Sequence, residues 1–169
     1  MKLRENRSWY EHVHIGNDSP KEIRPSMEIR LRTGSWNELR DDAQVVRTEV
    51  FIVEQNIPPE LEWDDMDAQS LHAVAYDATG LAVGTARLLP DNHIGRMAVL
   101  ESRRSRGVGS RLLQAMMDAA RQRGAQEVML NAQLAAMPFY MRHGFVEEGG
   151  VFDDAGIPHK FMRHRFSAA

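Results

Sequence analysis

The stretch Glu101–Leu113, ESRRSRGVGSRLL, decides how the rest of the chain is read. Two glycines, Gly107 and Gly109, sit two residues apart behind a run of arginines. Before them, His93–Leu100 (HIGRMAVL) reads as a strand. After them, Val108–Arg123 reads as a helix with Leu112, Ala115, Met116 and Ala119 as its buried stripe. Arg121 and Arg123 suit that helix's C-terminal dipole, and Gly124 is its stop. A strand-to-helix junction leaves several backbone N–H groups pointing one way, and the helix dipole adds positive potential. Glycines without Cβ let an anion approach the main chain closely. Arg103, Arg104, Arg106 and Arg111 add charge. A diphosphate fits this turn, although Gly-x-Gly alone fits an ordinary turn with solvated arginines equally well. Other phosphate patterns fail on residues. A dinucleotide fold wants a third glycine where Leu112 stands, and a nucleoside-triphosphate loop wants a lysine that is not nearby.

Working outward, Met27–Arg32 alternates like a strand. Ser35 and Glu38 form a capping box, and Leu39, Ala43, Val46 and Val50 keep helical spacing past Val50. Pro58 and Pro59 break that helix in an acidic loop carrying Glu60, Glu62, Asp64, Asp65 and Asp67. The loop reads either as a recruiter of cationic amines or as a solvated connector. Leu71–Tyr76 and Leu81–Leu89 form a hairpin around DATG. Glu127–Gln133 is a further strand, and Leu134–Phe145 is a helix that accommodates Pro138 near its start or kinks there. VEEGGVF and KFMRHRF close the chain as a hairpin around DDAGIPH. The expected architecture is one α/β domain over 26–169, a mixed, mostly antiparallel central sheet flanked by helices on both faces. Residues 1–25 are polar and are expected to form a loosely ordered extension that Trp9, Tyr10, Val13 and Ile15 could anchor.

The bulk numbers exclude several classes. The 169 residues suit one domain with a real core. The net charge of −3 and pI near 6.2 argue against nucleic acid as a partner. No cysteine is present, which removes disulfides and thiolate chemistry and suits a reducing cytoplasm. No apolar run approaches the ~20 residues of a membrane helix, and no signal-peptide core opens the chain, so a cytoplasmic protein is expected. No His pair has helical metal-ligand spacing with a suitable third ligand, so no metal is expected.

Arg104-Ser-Arg-Gly107-Val-Gly109 resembles the [QR]-x-x-G-x-[GA] signature of the GNAT superfamily of acyl-CoA N-acyltransferases. MAVL before it resembles the strand that pairs with the pantetheine arm, and Ala136–Phe145 (AMPFYMRHGF) resembles the later helix with its tyrosine. VFIVEQNIPPELEWDDMDAQSLHAVA and FDDAGIPHKFM look like an ElaA-type subgroup, so the resemblance covers about residues 27 to 166. It implies the GNAT fold, acetyl-CoA as cosubstrate, and a cofactor site made of Met97, Ala98, Val99, Arg104, Ser105, Arg106, Gly107, Val108, Gly109, Ser110, Gln133 and Tyr140. Ser105 and Gln133 depart from the family pattern, standing where many members carry Gly and Asn.

The resemblance further implies that Met97 and Val99 offer backbone groups to pantetheine, and that an N–H at or beside Val99 stabilises the thioester oxyanion. Tyr140 would protonate the leaving thiolate, since a free tyrosine titrates near pH ~10; the alternative reading is a core residue with its hydroxyl bonded to backbone. The attacking amine needs a base, and Glu54, His72 and His159 are the candidates, each of which also reads as a hydrogen-bonded structural residue. The expected reaction is acetyl transfer to a primary amine of a small molecule by direct attack, with no acyl-enzyme. A protein or peptide amine, or a CoA-binding sensor without turnover, are the alternatives. The closing hairpin offers an edge on which a homodimer could form.

Overall fold

The computed structural model describes residues 28–168, so the expectation for the extension over 1–25 lies outside the described residues. The first strand, β1, is Arg30–Gly34, a little later than the alternation suggested. Ser35 then caps helix α1, Trp36–Arg47: its hydroxyl accepts from the Glu38 amide at 3.4 Å, and the Glu38 carboxylate accepts from the Ser35 amide at 2.7 Å. The helix runs on as expected, but as a wider π-helical segment over Thr48–Glu54, ending where the Gln55 amide reaches back to the Val50 carbonyl. A short helix α2 (Pro59–Glu62) follows, with Pro59 at its start.

Strands β2 (Leu71–Tyr76), β3 (Ala82–Leu88) and β4 (Ile94–Val99) join β1 in a four-stranded antiparallel sheet of order β1-β2-β3-β4. Every residue of β3 is buried, because α1 and helix α3 (Val108–Gln122) both pack against it. The apolar face of α3, including Leu112, Leu113, Met116 and Met117, sits on this sheet. Gly84 makes the approach possible: a Cβ there would lie 2.8 Å from Leu112 Cδ1.

The second sheet contains β5 (Glu127–Gln133), β6 (Val146–Asp154) and β7 (Ile157–Arg165) in the order β5-β7-β6, also antiparallel. Pro138 causes no kink. A 3₁₀ turn at Leu134–Ala136 precedes α4, Met137–Arg142, which places the proline in the first helical turn where its missing N–H costs nothing. The closing hairpin turns at Ala155 and Gly156, both at positive φ, so His159 belongs to β7 and not to the turn.

The mixed, mostly antiparallel sheet flanked by helices divides between β4 and β5 into two antiparallel sheets. As parallel neighbours, β4 and β5 touch at a bridge between His93 and Met129, where the Met129 amide donates to the Asn92 carbonyl at 3.2 Å. Beyond it the strands part.

Candidate active site

The gap between β4 and β5 has an irregular wall. The β3–β4 register shifts between Thr85 and Arg87, and Arg96 opposite this bulge takes φ +47°, a left-handed conformation that costs an L-residue of this kind roughly 1–2 kcal/mol. Past the bulge the pairing settles: the Leu100 amide donates to Val83 O at 2.9 Å, and Val99 faces Gly84. Alternation in an antiparallel pair then turns the Val99 amide and carbonyl away from β3, toward the gap. The Val99 carbonyl is taken by Arg104 Nε at 2.9 Å. From the other side α4 brings Tyr140, 2% exposed, across to β4, with its hydroxyl 3.7 Å from Met97 Sδ. Phe139 and Phe145 hold its ring edge to face.

At the open end of β4 lies the glycine turn. Gly107 is the N-terminal cap of α3 at φ +80°, a conformation glycine supplies freely, and a Cβ there would meet nothing within 4 Å. Ser105 is also left-handed, at φ +62°. The amides of the first turn of α3 have no intrahelical acceptor and carry the positive end of the dipole. Two of the four arginines that the sequence offered as free charge are neutralised. Arg103 pairs with Asp77 at 3.1 Å, Arg104 grips both carboxylate oxygens of Glu54 at 2.7 and 2.9 Å, and Arg111 donates to the Ile29 carbonyl. Among the described residues, Arg106 and Arg111 are both exposed and form no ion pair.

A cavity of about 320 Å³ adjoins the gap. Phe51 from the π-helical segment, Arg87 and Arg96 from the sheet, and Gln133, Tyr140 and His159 from the second half of the chain help to wall it. Its floor rests on a buried ion network that the acidic loop turns inward. Arg47, 1% exposed, donates to Glu62 at 2.7 Å and to Asp67 at 2.7 Å, and lies over the Trp63 ring. Arg87 joins Asp64 and Asp67 at 2.7 and 3.0 Å. Neither reading of the loop survives intact: three of its five acids neutralise arginines of α1, β3 and β4, so it is no amine-recruiting surface and no merely solvated connector. Burial raises the Glu62 pKa even against Arg96 and Arg47 beside it, whereas at Asp64 the Arg87 contacts outweigh burial and lower it.

The family description "Acetyltransferase (GNAT) domain" matches residues 38–166. The chain belongs to the GNAT family. It is a GNAT-type acyl-CoA N-acyltransferase in fold and family. A Bacillus subtilis (strain 168) protein named "Uncharacterized N-acetyltransferase YjcF" is 45% identical over 125 residues, 72% of this chain and 89% of that protein. The crystal structure of Escherichia coli ElaA superposes with a TM-score of 0.73 at 27% identity, covering 82% of this chain and all of that one. An acyl-CoA N-acyltransferase from Pseudomonas aeruginosa gives a TM-score of 0.72 at 29% identity, over 81% of this chain and 99% of that one.

In this GNAT the residues expected at the site do not all converge. Met97, Ala98 and Val99 line the parting edge of β4, and Arg104 to Ser110 form the turn beyond it. Gln133, 4% exposed, ends β5 and bonds Gln55 Oε1 at 3.3 Å. Ser110 Oγ lies 3.0 Å from His143 Nε2, a histidine whose pKa is lowered by burial and then by Arg142. Glu54 stands at the turn, tied to Arg104, and is not among the cavity residues. His72 is buried against Trp36 with Nε2 2.9 Å from the Asp67 carbonyl, and burial lowers its pKa. His159 is the one base candidate in the cavity wall. Its Nδ1 lies 2.7 Å from the Ile157 carbonyl; a carbonyl only accepts, so Nδ1 carries the proton and the neutral ring keeps its lone pair on Nε2. Arg96, with its bulge, lines the cavity, and the sequence did not single it out. Among the described residues no helix is long and apolar enough to cross a membrane.

Proposed function

We propose that the protein moves an acetyl group from acetyl-CoA to the primary amine of a small molecule, by direct attack and without an acyl-enzyme. The observation that carries this reading is the 320 Å³ cavity beside the parted strands, a volume in the range of small-molecule sites. The diphosphate rests on the amides of the turn at Arg104–Ser110, and pantetheine lies along Met97–Val99 as an added strand, taking up main-chain groups that the parting of β4 and β5 leaves facing the gap. The Val99 N–H then donates to the thioester oxygen as it gains charge, a contact worth a few kcal/mol in the transition state. His159 Nε2, directly or through a water, takes the proton of the attacking amine. Collapse of the tetrahedral adduct breaks the C–S bond, and Tyr140 gives its hydroxyl proton to the departing thiolate. Glu54 and His72 are given no part in the proton transfers.

Incubating the protein with acetyl-CoA and a panel of amino acids, polyamines, aminoglycosides and peptides, while following free thiol, tests this directly. Thiol release that depends on a small amine supports the reading. Release with peptides alone favours a protein acceptor, and tight acetyl-CoA binding with no release from any amine overturns the transferase reading.

A further inference from the structure

The cavity wall holds two guanidinium groups whose donors are not used up. Arg96 directs Nε to the Glu62 carbonyl at 3.3 Å, and Nη2 to the Leu61 and Glu62 carbonyls and to Asp64 Oδ2 at 3.3 Å. Among the described residues its Nη1 has no acceptor. Arg87 is 5% exposed; its Nη atoms meet Asp64 and Asp67, and its buried Nε is without a partner. Three arginines share three carboxylates in this network, but not equally. Arg47 and Arg87 hold theirs at 2.7 Å, whereas the nearest carboxylate oxygens to Arg96 are at 3.3 and 3.4 Å. Arg96 is also the most open of the three, with 26% of its side chain exposed. Burial first, and then the like charges of Arg87 and Arg47, lower its pKa despite Glu62 and Asp64. A residue bearing this side chain would not be expected at φ +47° in mid-strand, and a bulge is a device for re-aiming a side chain toward a site.

We propose that Arg96, backed by Arg87, anchors an anionic group on the acceptor, so that the preferred substrate is a small amine that also carries a carboxylate. A guanidinium with two idle N–H groups in a partly desolvated wall is matched to a carboxylate in geometry and charge. The same guanidinium repels a polyamine, whose extra charge would find Glu62, Asp64 and Asp67 already engaged. This inference rests on the acetyl-transfer reading for the site and names its substrate class.

The test pairs each N-acetyl amino acid with its C-terminal carboxamide and measures binding calorimetrically in the presence of coenzyme A. The pairs need no variant, so folding does not confound them. The acid should bind at least tenfold more tightly, and Arg96→Lys, which keeps the charge but loses the fork, should cut that preference severalfold. Equal binding of acid and amide overturns the proposal, as does tighter binding of an acetylated polyamine. An acid preference confined to phosphonate analogues also overturns it, since the anion would then be a phosphate. Thiol release, followed on the same amines, separates the two readings: a preserved acid preference with no transfer refutes the acetyl-transfer function and leaves the anion site standing.

Discussion

On the proposed reading, Tyr140 and Gly107 divide the work of the site between chemistry and binding, and single substitutions should separate them. Tyr140→Phe keeps the ring contacts with Phe139 and Phe145 and removes the proton. It should lower kcat by roughly 10²-fold, in the usual range for a lost general acid, with acetyl-CoA affinity little changed. Loss of affinity with kcat intact would contradict the acid role. Gly107→Val forces a β-branched residue to φ +80°, a strain of about 1–2 kcal/mol or more that the turn relieves by moving its amides. Its acetyl-CoA Kd should rise about tenfold before kcat falls; an unchanged Kd would count against the phosphate turn. Both residues could be proposed from the sequence because the motifs that carry them are local. Arg96 could not, since its left-handed backbone is a property of the β3–β4 register, which no short stretch encodes.

At the scale of elements, the sequence showed strands and helices to within a few residues, because alternation, the Ser35–Glu38 box and the glycine stops are local signals. It did not show which charges meet. The acids of the loop are contiguous, but their partners Arg47, Arg87 and Arg96 come from three elements, so only the folded chain reveals a network. Arg47→Met would leave Glu62 and Asp67 buried with less compensation, and urea unfolding should show a loss of about 3–5 kcal/mol. The β2–β3 hairpin carries a pH signal of its own. The Thr79 hydroxyl, with Arg103 and the turn amides, lowers the Asp77 pKa to about 2. A depressed carboxylate stabilises the fold fully above its unfolded value of 3.8 and loses that contribution as pH falls through about 2. Asp77→Asn should therefore flatten the acid limb of the stability curve between pH 4 and 2, read by thermal unfolding. Glu54 joins the π-helical segment to the turn through Arg104, so Glu54→Gln should weaken acetyl-CoA binding while kcat at saturating cofactor holds; a collapse of kcat alone would restore it as a base.

For the whole molecule, the decisive feature is that two antiparallel sheets meet at one bridge and then separate. The mixed, mostly antiparallel sheet was expected, with the parting of two strands implied only by the family resemblance, because the strand order is the same either way and only the bulge and the Met129–Asn92 contact mark the division. On the proposed reading, a cofactor lying between the sheets would complete the fold as well as the site. Acetyl-CoA at a hundred times its Kd should add about 2.7 kcal/mol to unfolding stability by mass action. The measurement that bears most directly on the account is a crystal structure of the protein grown with acetyl-CoA. The account predicts the diphosphate on the amides between Arg106 and Gly109, the thioester oxygen within hydrogen-bonding distance of the Val99 N–H, and the sulfur beside the Tyr140 hydroxyl. Acetyl-CoA bound elsewhere, with β4 and β5 still parted and vacant, would contradict it.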